Sequence, residues 1–163
     1  MTILLNAARF VAAGFGSGWM PFAPGTFGSL AAGIVAWGVI QAWGVVFLWF
    51  AWFLLLFIAC WSTWIALPEE QETDPQWVVI DEWLGQWLTL LIAFIALPIN
   101  PMMFILAFAG FRFFDILKPG PIKIVEHVGP DWWAIHADDL LAGIFAGAML
   151  LAGNYFLSGM GSI

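Results

Sequence analysis

Five carboxylates stand where an apolar chain has little reason to place them: the adjacent pair Asp81-Glu82, then Asp115, then the adjacent pair Asp138-Asp139. Each lies within or at the edge of an apolar run. An aspartate at the centre of a transmembrane helix costs on the order of 2.5–3.5 kcal/mol, and less nearer the interface. Mutual repulsion adds to that cost. The cations available to offset it are Arg112, Lys118 and Lys123, too few unless some acids are protonated or a divalent ion is present. Ligation by carboxylates alone, with no cysteine partner and only two histidines in the chain, points to a hard cation, magnesium or manganese, rather than zinc. Asp115 and Lys118 are three apart, so a helix that continued through both would set a cation beside the acids. Metal and cation together suit a phosphoryl group, because both stabilise charge on its oxygens and a metal-activated water is a ready nucleophile.

The elements that must position these groups are membrane helices. The chain has 163 residues, 63% of them hydrophobic and 9% charged, whereas a soluble domain is about 45–50% apolar and about 25% charged. Apolar runs of the roughly 20 residues that span a bilayer recur between short polar patches. The expected fold is therefore all-α: one domain over residues 1–163, a polytopic bundle of about five transmembrane or membrane-embedded helices, preceded by a short N-terminal helix and a glycine-rich loop. The start, through Arg9, does not read as a removable signal peptide.

Residues up to about Ala23 read as a short helix and irregular backbone, broken by Gly14, Gly16, Gly18 and Pro21. Pro24-Gly-Thr-Phe-Gly-Ser29 continues this as a loop. The uncharged stretch from Leu30 to Leu67 is too long for one crossing, and Gln41-Ala-Trp-Gly44 is its expected bend. Glu69, Glu70, Glu72 and Asp74 form an acidic loop. Asp74-Pro75 then reads as a helix start, with the helix running to about Leu97. Asn100-Pro101 repeats the signal for a helix to about Leu117. Lys118-Pro-Gly-Pro121 ends it, and a polar connector leads to a last helix that starts between Asp131 and Asp138 and runs to about Leu157. In that helix Gly143 and Gly147 permit close approach of a neighbour.

In the second hairpin Glu82 and Asp115 both fall roughly 21–23 Å from the turn at 1.5 Å per residue, hence at the same depth. Asp138-Asp139 lie roughly 27 Å of helix before Leu157, which brings them to the same side. Arg112, Lys118 and Lys123 cluster at that end, and the positive-inside rule assigns it to the cytoplasm.

Other charged and reactive residues have plainer readings. Glu69, Glu70, Glu72, Asp74, Asp131 and Glu126 are expected to be solvated interfacial acids. Asp138-Asp139 fit a helix N-terminus about as well as a metal site. His127 and His136 are chemically able to act as bases, but an interfacial histidine usually has no such role. Cys60, the single cysteine, excludes an internal disulfide and lies in an apolar run. The 12 tryptophans read as interfacial anchors and packing. With 11 acids against 4 bases and a net charge of −7, nucleic acid is excluded as a partner.

Several of these segments together resemble the bacterial phosphatidylglycerophosphatase A family over most of the chain. They are Gly14-Phe-Gly-Ser-Gly18, Pro24-Gly-Thr-Phe-Gly-Ser-Leu-Ala-Ala32, Asp81-Glu82 with Gly85-Gln86, Phe111-Arg-Phe-Phe-Asp-Ile-Leu-Lys-Pro119 with Pro121-Ile122, and Asp138-Asp139-Leu-Leu-Ala-Gly143. The resemblance implies a magnesium-dependent, multi-pass enzyme of the bacterial inner membrane that removes the terminal phosphate of phosphatidylglycerophosphate to give phosphatidylglycerol. It implies that Asp81, Glu82, Asp115, Asp138 and Asp139 form the acidic metal set, with Asp81, Glu82, Asp115 and Asp139 catalytic. Arg112, Lys118, Thr26 and Ser29 are implied as phosphate contacts. Two departures stand out: His136-Ala137 precedes the aspartate pair where apolar residues are expected, and Gly120 replaces a bulky residue after Lys118-Pro119.

Direct attack by a metal-activated water is the expected route, with a covalent route through Asp115 as the alternative. The competing function is a small cation transporter or channel, since intramembrane acids also mark ion pathways. Such a pathway needs acids spread through the membrane depth, whereas these gather at one end beside two cations.

Overall fold

The structure is a computed structural model that describes residues 2–69, 75–125 and 128–160. The acids Glu70, Glu72 and Asp74, with Glu126 and His127, lie outside the described residues, as does the side chain of Glu69. The described residues form helices and no strand: α1 (Thr2–Ala12), a 3-10 segment (Gly14–Trp19), α2 (Pro24–Trp43), α3 (Val45–Ala66), a short 3-10 turn (Leu67–Glu69), α4 (Ile80–Ala93), α5 (Pro101–Leu117), α6 (Pro121–Val125) and α7 (Asp131–Met160).

α2 and α3 form the first hairpin, broken where expected. Gly44 adopts φ 84° and its N–H closes α2 on Ile40 O, a backbone conformation that costs a residue with a Cβ. α2, α3 and the α7 segment Asp131–Ser158 are long and apolar enough to cross a membrane. Their outer faces carry large exposed apolar side chains, such as Phe50 and Phe57 at 70% and 73% exposure. In a chain this apolar, such faces are lipid-facing surface rather than a soluble protein's exterior.

The expected count of about five crossings is not confirmed, because the second hairpin is short. α4 has 14 residues, roughly 21 Å at 1.5 Å per residue against a hydrocarbon core of about 30 Å. The helix expected from Asp74-Pro75 to about Leu97 therefore starts later and ends earlier. Residues 75–79 are held out of it: Val79 N–H donates to Ala12 O at 2.9 Å, tying the segment to the end of α1. At the other end the chain turns at Phe94, whose N–H closes on Leu90 O. The turn leads to Asn100, which caps α5 as expected, its side chain accepting from Met103 N–H at 2.9 Å.

α4 is the central helix. It packs against α2, α3, α5 and α7, and all but two of its residues are buried. A helix wrapped by protein can carry polar groups that a lipid-facing helix cannot. α4 and α7 meet at Gly85 and Gly143: a Cβ on Gly143 would lie 2.5 Å from Gly85 O. Across this contact Thr89 Oγ1 donates to Gly85 O at 2.9 Å and approaches Gly143 O at 3.3 Å. Trp52 and Trp87 fasten the other sides, their Nε1 groups donating to Leu84 O at 2.9 Å and Ala32 O at 2.8 Å.

Two further expectations are corrected. Pro24–Ser29 is the opening of α2 rather than a loop, since Pro24 occupies the first turn, where its missing N–H costs nothing. α7 begins at Asp131, so Asp138-Asp139 lie about two turns inside it and are not end charges satisfied by the helix dipole. The polar connector before α7 also contains the short α6.

Candidate active site

At the end of the bundle where α2, α4 and α7 begin and α5 ends, a cavity of about 800 Å³ opens. Asp81, Glu82, Arg112, Asp115, Lys118, Asp138 and Asp139 all line it, as does Thr26. Three helices, with Lys118 just past the end of α5, thus deliver the expected charged groups to one place. α4 supplies Asp81-Glu82 from its first turn, α5 supplies Arg112 and Asp115 from its last turns, and α7 supplies Asp138-Asp139.

Within the cavity the acids divide. Asp81, Glu82 and Asp139 each place one carboxylate oxygen within 4.8 Å of the others. Asp115, which also reaches the Asp139 side chain, and Asp138 face cations. Arg112 Nη1 lies 2.5 Å from Asp115 Oδ2 and 3.8 Å from Glu82 Oε1. Lys118 Nζ donates to Asp138 Oδ2 at 2.6 Å. The expectation that Asp115 and Lys118 share a helical face does not hold, because α5 ends at Leu117 and Lys118 adopts the left-handed conformation, φ 42°. That reversal turns its ammonium across to α7.

Ser29 is not at the cavity surface. It is fully buried on α2, where its Oγ donates to Gly25 O at 2.7 Å and accepts from Arg112 Nη1 at 3.2 Å. It holds the guanidinium from behind, so its link to a ligand runs through Arg112. Thr26, two helical positions after Pro24, does face the cavity. The first turn of α2 has no side-chain cap; its Thr26 and Phe27 N–H groups donate to Ala23 O at 3.0 and 3.2 Å, and Pro24 has none to offer. Gly25 fits there because of what it lacks: a Cβ would meet Glu82 Oε1.

Some lining residues carried no chemical signal in the sequence. Gln76 lines the rim from the turn before α4, and Asp131, read as a solvated acid, is exposed there at the start of α7. His136 is fully buried away from the cavity lining, with Nε2 3.0 Å from Thr63 Oγ1, a packing role that suits its plain reading. Cys60 is half-buried on α3.

The arrangement is a cavity with a tight carboxylate triad beside two cations that are themselves held by acids. A family model described as phosphatidylglycerophosphatase A matches residues 10–154. The chain is 37% identical to phosphatidylglycerophosphatase A of Haemophilus influenzae, over 94% of this chain and 93% of that protein. It is 33% identical to phosphatidylglycerophosphatase A of Escherichia coli, over 95% and 88%. It is also 34% identical, over 90% and 93%, to a Bacteroides thetaiotaomicron protein named "Putative phosphatidylinositol-3-phosphatase". No solved structure matches. With the family pattern covering nearly the whole chain and every charged position of the expected site gathered in one cavity, this membrane protein belongs to the phosphatidylglycerophosphatase A family.

Proposed function

We propose that this chain hydrolyses the terminal phosphate monoester of phosphatidylglycerophosphate to phosphatidylglycerol and inorganic phosphate, with magnesium held by Asp81, Glu82 and Asp139. The observation that carries the reading is the triad itself, three carboxylate oxygens within 4.8 Å of one another beside Arg112 and Lys118 in a single cavity. The donors fit a hard divalent cation. They are carboxylates only, two of the three residues are nearly fully buried, and Glu82 Oε2 is buried without a hydrogen-bond partner, a costly state unless a cation or water meets it. Manganese has the same donor preferences and is the second choice.

Magnesium bound there supplies Lewis acidity toward the phosphate oxygens and the attacking water. The chain's own groups do the rest. Arg112 and Lys118 receive the remaining phosphate charge. Asp115 and Asp138 hold Arg112 and Lys118 in place. A new bond forms between water oxygen and phosphorus, the bond from phosphorus to the glycerol oxygen breaks, and the proton lost by water is balanced by one gained by the departing alcohol. We assign the attack to water and not to Asp115, because a carboxylate oxygen 2.5 Å from a guanidinium is a weakened nucleophile. The cation-transporter reading is not favoured: the acids gather at one end of the bundle with two cations among them.

All four basic residues support an inner-membrane placement with the cavity facing the cytoplasm. Arg112, Lys118 and Lys123 lie at the cavity end, and Arg9 is in the last turn of α1, whose end is tied to Val79. The test is release of free phosphate by the purified chain in detergent from phosphatidylglycerophosphate, with phosphatidylinositol 3-phosphate in parallel. We expect magnesium-dependent release that EDTA abolishes and added magnesium restores. Hydrolysis of the inositol lipid alone overturns the substrate. Wild-type rates in Asp81→Asn, Asp115→Asn and Asp139→Asn together overturn the site.

A further inference from the structure

Four polar atoms of three residues, two of which line the cavity, are buried with no hydrogen-bond partner: Gln86 Oε1 and Nε2, Arg112 Nε and Glu82 Oε2. Gln86 is fully buried. A primary amide taken from water without compensation costs on the order of 1–3 kcal/mol by protein mutational measures. Nothing in packing explains it, since an apolar side chain of the same volume would fill the space at no such cost.

Gln86 follows Glu82 by four residues, so it lies one turn deeper on α4 and about 40° further round the same face. That rotation carries it toward the side on which Trp83 and Trp87 reach Ser17 and α2, and Arg112 meets Ser29 of α2. Close contact with α7 at Gly85, where an added Cβ would lie 2.5 Å from Asp139 O, blocks the opposite side. The orphaned atoms are also complementary. Gln86 Nε2 and Arg112 Nε donate, while Gln86 Oε1 and Glu82 Oε2 accept. One water, with two hydrogens and two lone pairs, can serve all four, and buried polar sites of this kind normally hold such waters.

We infer that Gln86 is a positioning residue for the reaction, joined through internal water to Arg112 Nε and Glu82 Oε2 so that both face the cavity in fixed orientation. This rests on the phosphatase reading above but not on the identity of the lipid headgroup. Gln86 touches neither substrate nor metal. It sets the aim of the guanidinium and the carboxylate, as Ser29 does from the side of α2.

The inference is tested on the full-length chain in detergent with Gln86→Leu and, as a flexible second choice, Gln86→Met. Kinetics on phosphatidylglycerophosphate, thermal unfolding and the background variant Arg112→Lys are measured together. We expect kcat to fall roughly 10- to 100-fold with KM within about twofold, because removal of an interaction made only in the transition state leaves ground-state binding alone. Tm should change little, since Leu keeps the buried volume and water can still reach Arg112 Nε and Glu82 Oε2. In the Arg112→Lys background, which lacks Nε, Gln86→Leu should add little further loss. Unchanged kcat, or a loss that comes with lowered Tm and adds in full to Arg112→Lys, overturns the inference. An experimental density map gives a check independent of activity: water within hydrogen-bond distance of Gln86 and Arg112 Nε supports it, and dry apolar packing there overturns it. A wild-type chain that releases no phosphate sinks the phosphatase reading instead, and the map then still decides whether the water-linked group exists.

Discussion

Arg112 does more at this site than any other single side chain. Its Nη1 meets Asp115, Glu82 and Ser29 together. A lysine ends in a shorter-reaching, compact ammonium and lacks the planar guanidinium and its Nε. Arg112→Lys should therefore lower kcat/KM by roughly 10- to 100-fold, read from phosphate release, with Tm little changed. Ser29→Ala leaves the guanidinium charge intact and removes only its rear support. We expect a smaller loss, about tenfold or less, in kcat rather than KM. A rise in KM alone would return Ser29 to the role of a direct phosphate contact. The acids follow their pairing. Asp139→Asn removes a member of the triad and should weaken magnesium activation, measured as the magnesium concentration for half-maximal rate. Asp138→Asn releases Lys118 and should act mainly on KM.

At the scale of elements, the site depends on how closely helices approach. Gly25 and Gly143 are both tight, with opposite consequences. At Gly25 an added methyl meets the far end of the flexible Glu82 side chain, so Gly25→Ala should displace that carboxylate, reduce activity at least tenfold and leave Tm nearly unchanged. At Gly143 the obstacle is the backbone of Gly85, which cannot swing aside. Gly143→Ala should push α7 from α4 and cost about 1–3 kcal/mol, seen as a lower Tm in detergent along with lost activity. Gly38, with nothing near its Cβ position, is the control: Gly38→Ala should hold or raise Tm. The burial of α4 explains why the chain keeps a helix too short to cross a bilayer at its centre. Protein surrounds it on all sides, so its first turn can carry two acids and its middle a glutamine and a threonine.

For the whole molecule, the topology gathers the charged boundaries of the described elements at one end, and the proposed orientation in the membrane is testable on that ground. With Cys60 replaced by serine, Lys123→Cys should react with an impermeant maleimide only after the cytoplasmic side is opened, and Gln41→Cys at the far end should react without it. The reverse pattern would place the cavity outside the cell. Membrane class, the break at Gly44, the Asn100-Pro101 start and the acid set were legible in the residues, because composition, backbone permissiveness and capping are local properties. The length of α4 was not legible. Asp74-Pro75 and the apolar run after it carry every local mark of a longer helix, and it is a hydrogen bond to Ala12, some 67 positions away, that holds Val79 out. The partners of the charges were hidden for the same reason: spacing alone joined Lys118 to Asp115, and only the chain reversal at the end of α5 sends it to Asp138. By itself the sequence determined which acids an apolar chain has least reason to carry, since burying a carboxylate in lipid is costly wherever it occurs. Tertiary structure alone decided which of those acids stand together as a triad and which are held by cations. Pairing is settled over a few ångströms between helices, a distance that no pattern along one strand of residues records.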